Sequence, residues 1–184
     1  MKLSMATTNK ITNYRVTSSD LYFFDNNVWM YIFGPIASSN RNKQNVYSSF
    51  FKQIQSYKAT IFINSLVISE YANSCLRLNF NQWKKTNKNE GADYKRDYIS
   101  TEHYKESAKD VITNLKLILK FSERHPDDFN AFSMDDLFNN LTVIDFNDNY
   151  YANFCIKNKF KIVTDDKDFQ KINNNKLEII TYNI

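Results

Sequence analysis

Three apolar, strand-like runs of this 184-residue chain each give way to a short acidic cluster. These runs span residues 21–24, 141–144 and 160–163. Helical patterns separate the runs, and strands that alternate with helices form a mostly parallel sheet in an α/β sandwich. Functional groups of such sheets gather beyond the carboxyl ends of the strands. We therefore expect Asp25, Asp148 and Asp166, which follow the three runs, to emerge at one edge of the sheet.

A fourth acid, Glu70, falls on a predicted helix that starts at about residue 66, and it lies near the apolar face of that helix. Carboxylates that converge repel one another. They remain ionised together only when a positive group, normally a hard divalent cation, lies among them. The four acids therefore favour metal-assisted chemistry on a phosphate ester.

Helix capping is the structural alternative for each acid at a run's end. Asp25, Asp148, Asp166 and Asp168 each stand where a side chain could cap a following helix or turn. Capping does not account for Glu70 inside a helix, nor for three caps at the ends of three strands. Four further acids are interpreted as ordinary capping or surface residues: Asp135, Asp136, Asp145 and Asp165. Of these, Asp145 is the next candidate for the acidic site.

The apolar pattern predicts one domain over residues 1–184, with a polar extension at residues 1–19. Residues 60–63 and 177–181 are further predicted strands. Further predicted helices cover residues 27–33, 46–57, 101–124 and 148–157. Residues 81–97 are polar and basic, which predicts a loop, so residues 81–125 form a basic loop and long helix in the middle of the chain.

Composition excludes several classes of enzyme. Only two glycines occur, Gly34 and Gly91, which excludes a phosphate-binding glycine loop, a dinucleotide fingerprint and a Gly-x-Ser-x-Gly nucleophile elbow. The two histidines and two cysteines show no metal-ligand spacing. No run of about 18 apolar residues exists, so we expect no membrane association and a cytoplasmic protein.

Positive charge is concentrated in the first two thirds of the chain. The net charge is +5 over residues 1–80, +3 over residues 81–125 and −4 over residues 126–184. A basic rim around an acidic pocket suits a nuclease, because Lys and Arg attract the phosphate backbone. Lys95, Arg96 and Lys105 interleave with tyrosines, a pattern typical of single-stranded RNA binding. Packing against a partner helix, or ordinary internal packing, remains open for the same residues.

Four segments in order resemble the PIN-domain family of metal-dependent nucleases. They are residues 23–29 (Phe-Phe-Asp-Asn-Asn-Val-Trp), 65–71 (Ser-Leu-Val-Ile-Ser-Glu-Tyr), 148–152 (Asp-Asn-Tyr-Tyr-Ala) and 163–169 (Val-Thr-Asp-Asp-Lys-Asp-Phe). The resemblance runs from about residue 21 to the end of the chain. It implies a three-layer α/β/α sandwich. Many family members resemble the VapC toxins of bacterial toxin–antitoxin pairs, which are ribonucleases silenced by a small partner protein.

Carried over to this sequence, the resemblance implies a metal-binding catalytic quartet and three supporting residues. The quartet is Asp25, Glu70, Asp148 and Asp166, and the supporting residues are Asn27, Thr164 and Asp168. The implied ion is Mg²⁺ or Mn²⁺. Asn27 would orient Asp25 by a hydrogen bond, while Thr164 would contact a ligand or phosphate, or simply end a strand.

The chain departs from the family pattern at two places. Asn26 stands where Thr or Ser is usual, and the span from Glu70 to Asp148 is longer than in compact members. The function implied is an endoribonuclease acting on RNA as the toxin of a toxin–antitoxin pair, with an antitoxin and a second copy of the chain as possible partners.

Three other interpretations of the function stay open. One is a nuclease of RNA processing outside a toxin system, and another is a module of this fold that binds RNA or metal without cutting. The third is a phosphatase of the haloacid dehalogenase type, but it would need an acid where this chain has Asn27.

Overall fold

One parallel sheet organises the described part of the chain. The structure, a computed structural model, describes residues 5–36, 39–138 and 141–184. The strands are β1 (Thr7–Lys10), β2 (Leu21–Phe24), β3 (Thr60–Ile63), β4 (Glu123–Arg124), β5 (Lys161–Val163) and β6 (Glu178–Thr181). They lie in the order β1-β6-β5-β2-β3-β4, and every neighbouring pair is parallel. The predicted parallel sheet is confirmed.

Helices cover both faces of the sheet. They are α1 (Asn26–Phe33), α2 (Arg41–Ser56), α3 (Ser65–Thr86), α4 (Glu102–Lys120), α5 (Met134–Phe138) and α6 (Phe146–Asn158), with one π-helical segment at Tyr94–Tyr98. The result is the expected three-layer α/β/α sandwich with an extended helical region in the middle of the chain. No helix in the described ranges is long and apolar enough to cross a bilayer.

The central strand β2 shows how the layers are held together. Phe23 and Phe24 are both fully buried, and successive strand side chains point to opposite faces. The Phe23 ring packs against Tyr151 and Phe154 of α6, with centroid distances of 5.3 and 5.1 Å. On the other face, Phe24 packs against Trp29 of α1, at 5.0 Å. A strand buried on both faces needs a continuous apolar run, which is why the sequence predicted β2.

The predicted strand at residues 141–144 is wrong. In the structure these residues form a turn that leads into α6. Leu141 and Val143 are exposed, and Ile144 is buried. The apolar run therefore lies at the surface and does not join the sheet. Asp148 consequently lies at the start of a helix and does not follow a strand.

The polar extension also differs from expectation, because it contributes β1 to the edge of the sheet. This strand pairs with β6, and its two outer residues, Thr7 and Lys10, are exposed. Lys161 of β5 helps to attach the extension, since its Nζ contacts Tyr14 Oη at 2.6 Å and Asp20 Oδ1 at 3.2 Å. Polar residues of this kind carry no apolar alternation, so no strand is predicted here from the sequence. Residues 1–4 of the predicted extension lie outside the described residues.

The middle of the chain is more helical than predicted. Helix α3 continues to Thr86, so part of the predicted loop at residues 81–97 is helix. The predicted helix at residues 101–124 ends at Lys120, and Glu123–Arg124 pairs with β3 as an edge strand. Helices α3 and α4 pack against each other and form the extended region.

Candidate active site

Asp25 lies at the carboxyl end of β2, where α1 begins. Its backbone N donates to Val163 O at 3.0 Å, which fixes the residue against β5. Its side chain makes no capping hydrogen bond to α1. The carboxylate Oδ2 instead accepts a hydrogen bond from Thr164 Oγ1 at 2.7 Å and another from Asn27 Nδ2. Capping therefore does not account for this buried acid.

Asn27 and Thr164 connect the start of α1 to the loop after β5. Asn27 Nδ2 also contacts Thr164 Oγ1 at 3.2 Å, and Asn27 Oδ1 accepts from the backbone N of Asp165 at 3.0 Å. Thr164 Oγ1 in turn accepts from the backbone N of Asp166 at 3.0 Å. These bonds place Asp25 and the Asp166 loop side by side.

Asp165 fixes this loop from its other side. Its carboxylate accepts hydrogen bonds from Tyr31 at 3.2 Å and Tyr47 at 2.9 Å, and it forms an ion pair with Lys43. Its carboxylate is therefore paired within the protein, and Asp165 is neither the helix cap nor the ordinary surface residue that the sequence had suggested. No spacing rule connects Asp165 to Lys43 or Tyr47, so neither partner was predicted.

Glu70 and Asp148 reach the site from α3 and α6. The half-buried Glu70 accepts a hydrogen bond from Tyr151 Oη to Oε2 at 2.7 Å. Asp145 Oδ1 accepts from the backbone N of Asp148 at 3.0 Å, so Asp145 is the cap of α6. The side chain of Asp148, in the first turn, is left available for the site.

The loop acids Asp166 and Asp168 are arranged differently from each other. Asp166 Oδ1 accepts from the backbone N of Asp168 at 2.8 Å, which shapes the turn. The Asp168 carboxylate is substantially exposed and pairs with Lys171 Nζ at 2.6 Å. Asp166 therefore faces the other acids with one oxygen engaged, while Asp168 is already neutralised by a cation.

The charges of the predicted quartet influence one another's pKa values. Burial, together with the charges of Asp25, Asp145, Asp166 and Glu70, raises the pKa of Asp148 to about 8. Burial also raises the pKa of Asp25 to about 7; the charges of Glu70 and Asp166 act in the same direction, and the Thr164 hydrogen bond opposes them. These acids act on one another across a shared, partly desolvated space.

The pKa of Glu70 is also raised. Burial raises it, hydrogen bonding to the Tyr151 hydroxyl and the Asn26 side chain lowers it, and the charge of Asp145 adds to the rise. Glu70 is thus the member of the quartet whose charged form is stabilised by a buried phenol.

The donors at this site are carboxylate and amide oxygens, the ligand type that hard divalent cations prefer. In residues 5–36, 39–138 and 141–184, no three His, Cys, Asp or Glu side chains are arranged to bind one ion directly. Mg²⁺ usually keeps several waters and binds through one or two carboxylates. Asn26 Oδ1, beside Asp25, is buried and has no hydrogen-bond partner among the described residues, so it offers a further acceptor for such waters.

The predicted RNA-binding residues lie beside a small aromatic cluster. Tyr98 is fully buried and packs against Phe80 and Trp83 of α3, with centroid distances of 5.1 and 5.3 Å. This ring fills the space between the end of α3 and the start of α4, so it is not free to stack on a base. Arg96 pairs with Asp97 at 2.7 Å.

The other two predicted RNA-binding residues, Lys95 and Lys105, are exposed. Lys105 pairs with Glu102 at 3.0 Å, and both side chains are well solvated. Lys95 is exposed on the π-helical segment. Exposed ion pairs contribute little energy, so these cations can exchange their carboxylates for phosphates.

A comparison of the sequence with models of protein families identifies the family. A family model described as PIN domain matches residues 22–175, which is most of the chain and contains all four acids of the quartet. The chain belongs to the PIN-domain family. PIN domains are generally nucleases, and they usually use divalent metal ions. A search of curated proteins finds no match.

Replacing Asp148 with Asn should stabilise the protein in the absence of metal. The folded-state pKa of about 8 exceeds the usual 3.8, so the folded state loses stability as pH rises between these values. The variant removes that loss. After allowing for solvent screening, we expect the free energy of unfolding to increase by about 1 kcal/mol or more above pH 8, which corresponds to about 2–4 °C in Tm.

Thermal unfolding in EDTA across this pH range measures the effect, with the exposed Asp110→Asn on α4 as the control. The Asp148→Asn gain should shrink towards acidic pH, where both proteins carry a neutral group at this position. A gain that is the same at every pH would contradict the electrostatic account.

Proposed function

We propose that this protein is a metal-dependent endoribonuclease that hydrolyses phosphodiester bonds of RNA with Mg²⁺ or Mn²⁺. The observation that supports it best is that the charges of Glu70 and Asp166 act on both Asp25 and Asp148, which are buried to different degrees. A polyanionic substrate would not approach these acids without a cation between them. Membership of a nuclease family supports the same conclusion.

In this proposal, Asp25 and Asp148 hold the ion. Asp25 suits this role because Thr164 and Asn27 fix one of its oxygens, and Asp148 suits it because Asp145 takes over the capping of α6. When bound, the ion lowers the pKa of a water and neutralises charge on the phosphate oxygens.

Glu70 and Asp166 complete the pocket in this proposal. Glu70 Oε2 accepts a hydrogen bond from Tyr151, and Asp166 Oδ1 accepts one from the Asp168 backbone. Both carboxylates can also accept hydrogen bonds from waters that the ion retains. Asp168, which is paired with Lys171, supports the loop and is not proposed as a ligand. These groups orient water and scissile phosphate together.

Replacing Asp25 with Asn should abolish cleavage. The change keeps the size of the side chain and one acceptor oxygen for the bonds from Thr164 and Asn27, but it replaces the other oxygen with an NH2 donor and removes the charge that attracts the ion. We expect a loss of about 100-fold or more in the cleavage rate of end-labelled tRNA and single-stranded RNA with Mg²⁺ or Mn²⁺. Asp110→Asn should retain full activity, and EDTA should abolish the activity of every variant.

Two results would contradict the proposal. Cleavage that persists in EDTA would exclude the metal-dependent reaction. A folded wild-type protein that binds RNA and Mn²⁺ without cutting any tested RNA would support the non-cleaving module instead.

The RNA is proposed to contact Lys95, Arg96 and Lys105. Replacing all three with Gln should weaken RNA binding and raise KM without changing kcat, because these residues contact backbone phosphates away from the acids. The slope of log binding constant against log salt should fall by about 0.7 for each phosphate contact that is lost. Lys52→Gln on α2 is the control. An unchanged slope would place the RNA on another surface.

The biological role is proposed from the resemblance to VapC toxins. In this view, residues 1–184 act as one nuclease domain on cytoplasmic RNA and are silenced by a small antitoxin. Exposed apolar side chains on α4, among them Ile112 and Leu119, offer a surface for the antitoxin or for a second copy of the chain. Induced expression in bacteria should then arrest growth, and Asp25→Asn should relieve the arrest. Normal growth with active enzyme would favour an RNA-processing role.

A further inference from the structure

Tyr151 makes a contact that packing alone does not require. It lies on α6 three residues after Asp148, is fully buried, and packs against Phe23 of β2 at a centroid distance of 5.3 Å. A phenylalanine would fill this space equally well. The Tyr151 hydroxyl is nevertheless bonded to Glu70 Oε2 at 2.7 Å, and this bond connects α6 to α3.

A buried phenol bonded to an ionisable acid is a strong constraint on that acid. Hydrogen bonds to charged acceptors are shorter and about twice as strong as neutral ones. The ring that carries the Tyr151 hydroxyl is fixed by its burial, so the hydroxyl cannot follow Glu70 if the carboxylate moves. The position of the Glu70 carboxylate is therefore fixed by its hydrogen bond to the Tyr151 hydroxyl.

A second contact limits the motion of α3 beside Glu70. Asn26 Nδ2 at the start of α1 donates to Ser74 Oγ at 3.2 Å. Ser74 lies one turn after Glu70, so both residues share a face of α3. Together, the bonds of Tyr151 and Asn26 fix α3 against the two helices that carry Asp148 and follow Asp25.

We propose that Tyr151 is a positioning residue, which holds the Glu70 carboxylate in place towards the ion and its waters. The proposal rests on the proposed function in that it takes Glu70 as part of the metal site. Tyr151 itself contacts neither ion nor substrate. Partners of this kind orient metal-site ligands, and their loss typically costs about 10–100-fold in metal affinity or activity.

The experiment compares Tyr151→Phe, Glu70→Gln and the double variant with wild type. Mn²⁺ affinity is measured by isothermal titration calorimetry, and single-turnover RNA cleavage is measured at saturating Mn²⁺. We expect Tyr151→Phe to weaken Mn²⁺ binding about 10-fold and to lower the cleavage rate at saturating metal. In the Glu70→Gln background, the same change should have no further effect on either quantity.

Tyr150→Phe is the matched control. It removes a hydroxyl from the neighbouring residue, whose partner is the backbone O of Asp127 and not an acid of the quartet. It should leave Mn²⁺ affinity and the cleavage rate unchanged even if it lowers Tm. A loss common to both phenylalanine variants would indicate a purely structural role for Tyr151.

The outcomes separate this inference from the proposed function. If wild type binds Mn²⁺ without cutting RNA, the nuclease proposal fails, while the affinities still decide the role of Tyr151. The inference is overturned if Tyr151→Phe keeps wild-type affinity and rate, or if its effect persists undiminished in the Glu70→Gln background. It is also overturned if wild type does not bind Mn²⁺ at all.

Discussion

Mutual repulsion among buried carboxylates is the constraint on which the rest of this structure depends. Asp25 is almost fully buried, Glu70 and Asp148 are partly buried, and the charges of Glu70 and Asp166 act on both Asp25 and Asp148. Burial and like charge both oppose ionisation, so this arrangement costs stability in the absence of a cation. The fold tolerates that cost because its central strand is packed on both faces by aromatic rings.

The acids stay together because neutral side chains hold them. Asn27 and Thr164 fix Asp25, and Tyr151 fixes Glu70, without placing a cation inside the site. Lys43 and Lys171 pair with Asp165 and Asp168 on the flanks of the Asp166 loop. The neutral donors and flanking lysines leave the negative potential of the quartet available to a metal ion.

How far the sequence predicts the fold depends on where each strand lies. The buried strand β2 was predictable because both of its faces are covered, which requires an unbroken apolar run. The run at residues 141–144 has a similar apolar pattern but forms a turn at the surface. An apolar run alone does not show whether its backbone will pair with a neighbouring strand. Strand β1 was not predicted because an edge strand with polar residues lacks any apolar period.

The sequence predicted the Asn27 bond to Asp25 but not the other bonds around the four candidate acids. Motif order indicated Asp25, Glu70, Asp148 and Asp166 because carboxylates recur at fixed places along the family pattern. The bond between Tyr151 and Glu70 joins residues 81 positions apart, so no local pattern encodes it. Internal packing of Tyr98 was one of the interpretations that the sequence left open, and it could not be chosen from sequence because burial of that ring depends on how α3 and α4 pack.

The most direct test of the central claim is diffraction from crystals grown with Mn²⁺, using the anomalous signal of the metal. The account predicts a Mn²⁺ peak within coordination distance of carboxylate oxygens of Asp25 and Asp148, with waters completing its shell. An empty quartet at a Mn²⁺ concentration that saturates cleavage, or an ion bound only at other residues, would contradict it.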